Sequence, residues 1–276
     1  MADQPTVKLN IGTSMPQLGF GVFQVPNGQA TEAVLAAFEA GYRSIDTAAM
    51  YRNEAGVGKA IADSGIPRDE LFITTKLNNN AHGADEALRA FEQSRALLGL
   101  DYVDLYLIHW PLPAKDRYVA TWRAFEKLQR DGVARAIGVS NFAPAHLQRL
   151  IDETDVVPAL NQIELHPYLS QGELRAFDAE HGIATEAWSP LARGGELLSD
   201  PVVTALAAKY GKTPAQVVIR WHLQLSNVVI PKSVTPSRIA ENIDVFDFEL
   251  ADDDAVSISG LNRDERTGPN PDTFNP

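Results

Sequence analysis

The feature that most constrains the fold is an alternation of short apolar runs with longer amphipathic runs, repeated eight times along the chain. Short, continuously apolar runs are typical of strands buried on both faces, and the amphipathic runs have the period of a helix. Strands that alternate with helices predict a parallel sheet covered by helices. The predicted strands span residues 18–23, 43–46, 71–76, 103–109, 134–139, 159–164, 183–188 and 227–230.

Eight strand-helix units in a chain of 276 residues close most naturally into an α/β fold of the (β/α)8 TIM barrel type, with residues 1–276 as a single domain. Residues 7–9 and 15–18 predict an N-terminal β-hairpin that acts as a lid or plug, and the last helical patterns predict extra C-terminal helices. An open doubly wound sheet is the alternative, but Gly19 and Gly21 are followed by Gln24, so the Gly-x-Gly-x-x-Gly motif is missing. The predicted helices span residues 31–40 with Thr31 as N-cap, 53–64, 84–98, 118–130, 143–152, 171–180, 201–210, 214–225, 237–245 and 252–259.

The charge balance restricts the partners of this protein. A net charge of −12 disfavours nucleic acid, because binding it requires a basic face. An anionic ligand therefore needs a local cationic pocket. The absence of cysteine excludes disulfides and thiolate metal sites, and neither a leader nor a membrane span is visible. We expect a cytoplasmic, monomeric protein whose partner is a small molecule, with no membrane association.

Polar side chains stand where the predicted strands end, which is where barrel enzymes place their active sites. Each such residue by itself is more often a cap or a loop residue, but their convergence on one rim favours a site. The strand-end residues are Asp46, Lys76, His109, Ser140 with Asn141, Gln162, Trp188 with Ser189, and Lys232 with Ser233.

Asp46, Lys76 and His109, together with Tyr51, predict a site that delivers a proton to a carbonyl oxygen. A neighbouring ammonium favours a phenolate, so Lys76 is expected to lower the pKa of Tyr51. Asp46 is the expected counter-charge of that lysine, and His109 is expected to orient the carbonyl. No nucleophile is evident and a hydride source is still needed. The alternative is a lyase, isomerase or hydrolase with Lys76 forming a Schiff base or Asp46 acting as a base.

Seven motifs in chain order resemble the aldo-keto reductase superfamily, and within it the bacterial 2,5-diketo-D-gluconate reductases most closely. The resemblance extends from about residue 6 to residue 262. The motifs are GFG at 19–21, DTAAMYRNE at 46–54, TTKL at 74–77, LYLIHWP at 105–111, IGVSNF at 137–142, NQIELHP at 161–167 and IPKS at 230–233.

The resemblance implies a barrel that uses NADPH to reduce a carbonyl, with Asp46, Tyr51, Lys76 and His109 as the catalytic tetrad and Tyr51 as the general acid. It places Ser140, Asn141 and Gln162 against the nicotinamide carboxamide. Trp188 stands where many relatives have a tyrosine that stacks on the nicotinamide ring. The remaining residues expected to bind the cofactor are Ser189, Leu191, Lys232, Ser233, Val234, Arg238, Glu241 and Asn242.

The end of the chain contains the cationic pocket that the charge balance requires. Lys232 and Ser233 end the last strand, and Arg238 lies in the first turn of the following helix, beside free backbone amides. This combination suits an additional 2′-phosphate, so NADPH is expected over NADH. Glu241 and Asn242, on the same helical face as Arg238, are expected to contact ribose or adenine.

The expected substrate pocket is formed by Phe23, Met50, Asn78 and Trp110. Asn78 replaces a tryptophan common in relatives, which predicts a roomier or more polar pocket for small aldehydes, α-dicarbonyls or keto sugars. No metal is expected, because the histidines lack ligand spacing. The non-enzymatic alternative is a cofactor-binding barrel with a regulatory or structural role.

Overall fold

The computed structural model describes residues 4–276, and eight parallel strands form its central sheet in chain order. The sheet closes on itself, because Leu18 bridges Val229 in parallel and the Gly19 amide donates to the Val229 carbonyl at 2.8 Å. The predicted (β/α)8 barrel is thereby confirmed. The strands are β3 Phe20–Gly21, β4 Ser44–Asp46, β5 Phe72–Leu77, β6 Val103–Ile108, β7 Ala134–Ser140, β8 Leu160–Glu164, β9 Ala184–Trp188 and β10 Val228–Val229.

The helices follow the strands as the sequence pattern predicted, with one clear error. The first helix begins at Asn27, directly after Pro26 with its φ of −58°, and not at Thr31. The sequence pattern missed this first turn because Asn and Gly have low helix propensity. Thr31 is not its N-cap; its hydroxyl donates to the Gly56 carbonyl at 2.9 Å. The helices are α1 Asn27–Ala40, α2 Glu54–Ser64, α3 Ala84–Leu98, α4 Tyr118–Arg130, α5 Pro144–Glu153, α6 Gly172–Glu180, α7 Pro201–Tyr210, α8 Pro214–Gln224, α9 Pro236–Ile243 and α10 Asp252–Ser259.

The predicted hairpin is present and is a plug, not a lid over the strand ends. Strands β1 (Thr6–Lys8) and β2 (Ser14–Pro16) pair antiparallel. Leu9, just after β1, and Met15, within β2, are buried against apolar side chains inside the barrel, most of which lie toward the amino ends of the strands. Those side chains are Phe72, Leu105, Leu107, Ala136, Ala159, Leu160 and Val228.

Along each strand, every second side chain points into the barrel. Strand β5 illustrates the consequence: Phe72 belongs to the apolar cluster at the amino end, whereas Lys76 reaches the polar groups at the carboxyl end. The barrel therefore has an apolar closed end and a polar open end. No helix within the described part of the chain is both long and apolar enough to cross a bilayer.

The C-terminal tail, residues 264–276, crosses the open end and is held there. The Thr267 amide and hydroxyl donate to the Glu164 carboxylate at 2.5 and 2.6 Å, and His166 faces the same carboxylate at 3.2 Å. Phe274 packs on Trp110 with ring centroids 4.5 Å apart. The tail therefore forms part of the wall around the carboxyl ends of the strands.

Candidate active site

Three of the four residues predicted to act together are in contact where β4 and β5 end. The Lys76 ammonium lies 2.6 Å from an Asp46 carboxylate oxygen and 3.3 Å from the Tyr51 hydroxyl, and it also donates to the Thr47 carbonyl at 3.0 Å. Lys76 and Asp46 are buried. The ammonium thus has three oxygen partners, and the phenol oxygen is one of them.

The loop that carries Tyr51 is fixed by Asn53, whose role the sequence analysis did not identify. The Asn53 amide donates to the Val22 and Val25 carbonyls at 2.9 Å each and accepts from the Thr47 hydroxyl at 2.8 Å. Asn53 is fully buried and precedes α2. It ties the loop after β4 to the loop after β3, and so determines where the Tyr51 ring stands.

His109, directly after β6, packs edge-on against the Tyr51 ring with centroids 5.7 Å apart. Burial, reinforced by the Lys76 ammonium, holds the pKa of His109 well below its usual range. The imidazole is therefore neutral and has one N–H to donate. This arrangement is suited to orienting a carbonyl oxygen next to the phenol.

The net pKa of Tyr51 differs in direction from the sequence expectation. Burial raises the pKa of Tyr51, and although Lys76 acts to lower it, burial together with the nearby carboxylates makes the net change upward. Tyr51 is thus a protonated phenol at neutral pH. For Lys76, burial lowers the pKa, but Asp46 and then Tyr51 raise it, and the net direction is upward. The lysine is therefore an ammonium, with Asp46 as its counter-charge as expected.

A second carboxylate, Glu186, lies behind this pair and was not among the predicted site residues. The Gln162 side-chain amide donates to Asp46 at 2.8 Å and to Glu186 at 2.7 Å. Burial, then the Asp46 charge, raises the pKa of Glu186 to about 8. The available signal was a glutamate inside an otherwise apolar strand, two residues before Trp188 and therefore on the same face.

Beside His109, polar side chains from the ends of β7 and β9 and from the loop after β7 form a connected set. The Asn141 amide donates to the His109 carbonyl at 2.9 Å and to the Ser140 hydroxyl at 3.0 Å, while Trp188 donates its indole N–H to the Asn141 oxygen at 2.8 Å. Ser140 in turn donates to the Gln162 carbonyl at 2.9 Å. Four residues expected at the nicotinamide therefore form one hydrogen-bonded group next to the tetrad.

The remaining residues expected at the cofactor lie along the loops after β9 and β10. Ser189 follows Trp188 in a left-handed conformation (φ 48°), and the half-buried Leu191 packs on the core. Lys232, Val234 and Arg238 are exposed.

Lys232 and Arg238 flank the start of α9, and neither forms an ion pair within residues 4–276. Ser233 accepts from the Thr235 amide at 3.1 Å. Glu241 accepts from Thr213 at 2.8 Å. Asn242 is buried on the same helix. A helix N-terminus flanked by two cationic side chains without ion-pair partners among the described residues is suited to bind a phosphate.

On the other side of Tyr51 lie the predicted substrate residues. Phe23 packs on the Tyr51 ring with centroids 5.1 Å apart, and both Phe23 (45% exposed) and Met50 (37%) open to solvent. Trp110 is buried beneath Phe274, a contact the sequence analysis did not identify. Asn78 is half-buried and follows β5 directly. The phenol thus faces an open, partly apolar rim.

Comparison with known proteins gives a consistent result. The aldo/keto reductase family matches residues 8–263. Methylglyoxal reductase DkgA of Escherichia coli (strain K12) is 55% identical over 275 residues, covering 99% of each chain. Glyoxal reductase of Bacillus subtilis (strain 168) is 55% identical over 268 residues, covering 97% of this chain and 96% of that one. The structure of a Gox0644 variant in complex with NADPH superposes with a TM-score of 0.94 at 49% identity, covering 98% of both chains.

Proposed function

Since this chain belongs to the aldo/keto reductase family, we propose that it reduces small aldehydes, α-dicarbonyls or keto sugars to alcohols, with NADPH as hydride donor. The methylglyoxal and glyoxal reductases among its relatives support a small dicarbonyl as the best first substrate. The NADPH complex of Gox0644 supports the cofactor.

One observation carries the proposal: a protonated phenol, Tyr51, lies 3.3 Å from a buried ammonium and faces an open rim. As a carbonyl oxygen gains negative charge, Tyr51 donates its proton to that oxygen. Lys76 stabilises the phenolate that is left, and Asp46 keeps Lys76 charged. Neutral His109 donates to the same carbonyl oxygen and so fixes its position.

The residues that hold NADPH in this proposal fit its charge. Ser140, Asn141 and Gln162 bind the carboxamide, and Trp188 offers its ring to the nicotinamide. Ser189, Leu191 and Val234 line the path to the last strand. Lys232, Ser233 and Arg238, at the start of α9, hold the 2′-phosphate, with Glu241 and Asn242 at the ribose and adenine. When bound, NADPH supplies the hydride that Tyr51 complements with a proton.

The alternatives have less support. A Schiff-base lyase needs a neutral amine, whereas Asp46 keeps Lys76 an ammonium. A purely structural or regulatory barrel gives no reason to bury an ammonium against both a carboxylate and a phenol. We further propose that residues 1–276 act as one domain, monomeric and cytoplasmic, and light scattering of the purified protein tests the oligomeric part.

The test is loss of NADPH absorbance with methylglyoxal, glyoxal and a panel of larger carbonyls. Tyr51→Phe is expected to lower kcat by about 10²- to 10⁴-fold, since it removes the general acid. Tyr106→Phe is the matched control: its buried hydroxyl has no partner among the described residues, so its removal is expected to leave the rate unchanged. A wild-type protein inactive with every carbonyl would refute the proposal, and full activity in Tyr51→Phe would refute the assignment of the acid.

A further inference from the structure

A chain of contacts connects Tyr51 to Glu186 through the interior of the barrel. Tyr51 contacts Lys76, Lys76 contacts one Asp46 oxygen, and the other Asp46 oxygen accepts from Gln162. The same Gln162 nitrogen donates to Glu186 at 2.7 Å. Because one nitrogen faces two carboxyl groups, the two acidic groups are joined through a single amide.

The charges in this chain do not balance if every group is ionised. Lys76 is its one cation, whereas Asp46 and Glu186 are both acids. Asp46 is 3% exposed, and Lys76 and Glu186 are 0% exposed, so solvent does not screen an excess negative charge there. Of the two acids, only Asp46 touches the ammonium. Glu186 is therefore the group that is more stable with a proton.

The second Glu186 oxygen supports the same assignment. This Oε1 atom is buried and has no hydrogen-bond partner among the described residues. A carboxylate oxygen without any donor is much costlier to bury than the hydroxyl or carbonyl of a neutral acid. Burial and the Asp46 charge act in the same direction and raise the pKa of Glu186 to about 8.

We propose that Glu186 is held as a neutral carboxylic acid and is a positioning residue: it fixes the Gln162 amide against Asp46, so that Lys76 is the only charged partner of Asp46 and Tyr51 stays a competent acid. The proposal rests on the proposed reductase function and adds to it a residue that touches neither substrate nor cofactor. Its role is to control the number of charges beneath the phenol.

Loss of the Glu186 proton has a defined consequence for the acid. The titratable groups facing Glu186 across the barrel are Asp46 on β4, Lys76 on β5 and Tyr51 in the turn after β4; its partner on β8, Gln162, is neutral. An ionised Glu186 raises the pKa of both Lys76 and Tyr51. Tyr51 then holds its proton more tightly, so carbonyl reduction slows as the pH rises through the Glu186 pKa.

The kinetic test is the pH profile of kcat for Glu186→Gln. Glutamine keeps an oxygen that accepts from Gln162 but has no proton to lose. We expect near-wild-type kcat at neutral pH, and an alkaline decline that is displaced upward by about one pH unit or more. Glu186→Ala, which leaves Gln162 without this partner, is expected to lower kcat on the order of tenfold at every pH.

Asp178→Asn is the matched control for a buried acid outside this chain of contacts. Burial raises the pKa of Asp178 to about 7, and its partners are Thr185 and Asn161. This variant is expected to leave the alkaline decline in place. An unshifted profile in Glu186→Gln, or a loss of its activity at all pH values with the fold intact, would overturn the proposal.

A spectroscopic readout separates this inference from the reductase function. Infrared difference spectra of wild type minus Glu186→Gln should contain the band of a protonated carboxyl group at pH 7, which disappears as the pH rises past about 8. This band requires no turnover. If it is absent at pH 7, the neutral acid is refuted even in an active enzyme, and if it is present in a protein without reductase activity, only the reductase function fails.

Discussion

The two ends of the barrel are built from the same strands, but one end is apolar and closed, whereas the other is polar and open. At the amino end, Phe72, Leu105 and Leu160 meet Leu9 and Met15 from the hairpin, and these residues are buried and apolar. Toward the carboxyl end, the inward positions instead hold charged and amide side chains, including Lys76 and Gln162. Two or four residues along one strand separate a purely hydrophobic layer from an ionic network.

The difference shows why the polar end can exist. A buried ammonium with two acids is costly unless the surrounding groups are fixed in place. The plugged apolar end supplies that rigidity, because close-packed side chains hold the strands in register. We therefore expect substitutions at the closed end to change stability and substitutions at the open end to change chemistry, and three substitutions test this division.

The largest effect is expected for Lys76→Met at the open end. The substitution leaves Asp46 buried without its cation and Tyr51 without its ammonium. It should lower kcat by about 10²- to 10⁴-fold and destabilise the fold by about 3–5 kcal/mol, measured by steady-state kinetics and urea unfolding. Adding Asp46→Asn should restore much of the stability but none of the activity. Recovery of activity in the double variant would contradict the roles assigned here.

Leu105→Ala at the closed end is the converse change. Leu105 is fully buried among the apolar side chains under the hairpin. Its truncation leaves a cavity and should cost about 2–5 kcal/mol of unfolding free energy. The kcat of the folded fraction is expected to stay within about twofold of wild type, because Leu105, on β6, lies four residues before His109 and belongs to the apolar cluster under the hairpin. A large drop in kcat without loss of stability would show that the two ends are not separable.

The smallest effect is expected for Trp188→Phe. Phenylalanine retains a ring but lacks the N–H that holds the Asn141 oxygen at 2.8 Å. NADPH affinity, followed by fluorescence or calorimetric titration, should fall about fivefold, equivalent to one hydrogen bond of roughly 1 kcal/mol. Trp221→Phe is the control, since it loses an indole hydrogen bond to Ser259 away from the site. Equal losses of affinity in both variants would indicate a general effect on the fold.

Much of the architecture follows from the sequence. The apolar run that forms each strand and the helical period that follows it depend on neighbouring residues only. The eight units and the barrel were therefore predicted correctly. The contact of Asp46, Lys76 and Tyr51 was also predictable, because the carboxyl ends of adjacent parallel strands meet at one rim. The first turn of α1 was missed, since Pro26 and the residues after it do not continue the helical pattern.

Only the tertiary structure determined which polar groups hydrogen-bond to one another inside the barrel. Asp46 and Gln162 are 116 positions apart, and closure of the sheet places a single amide between Asp46 and Glu186. The net direction of the Tyr51 pKa likewise depends on the depth of burial, which outweighs the neighbouring ammonium. Sequence determines which groups are present and on which face of a strand they lie. Burial and distances across the barrel determine their charges, because electrostatic energies depend on the separation of charges and on the solvent around them.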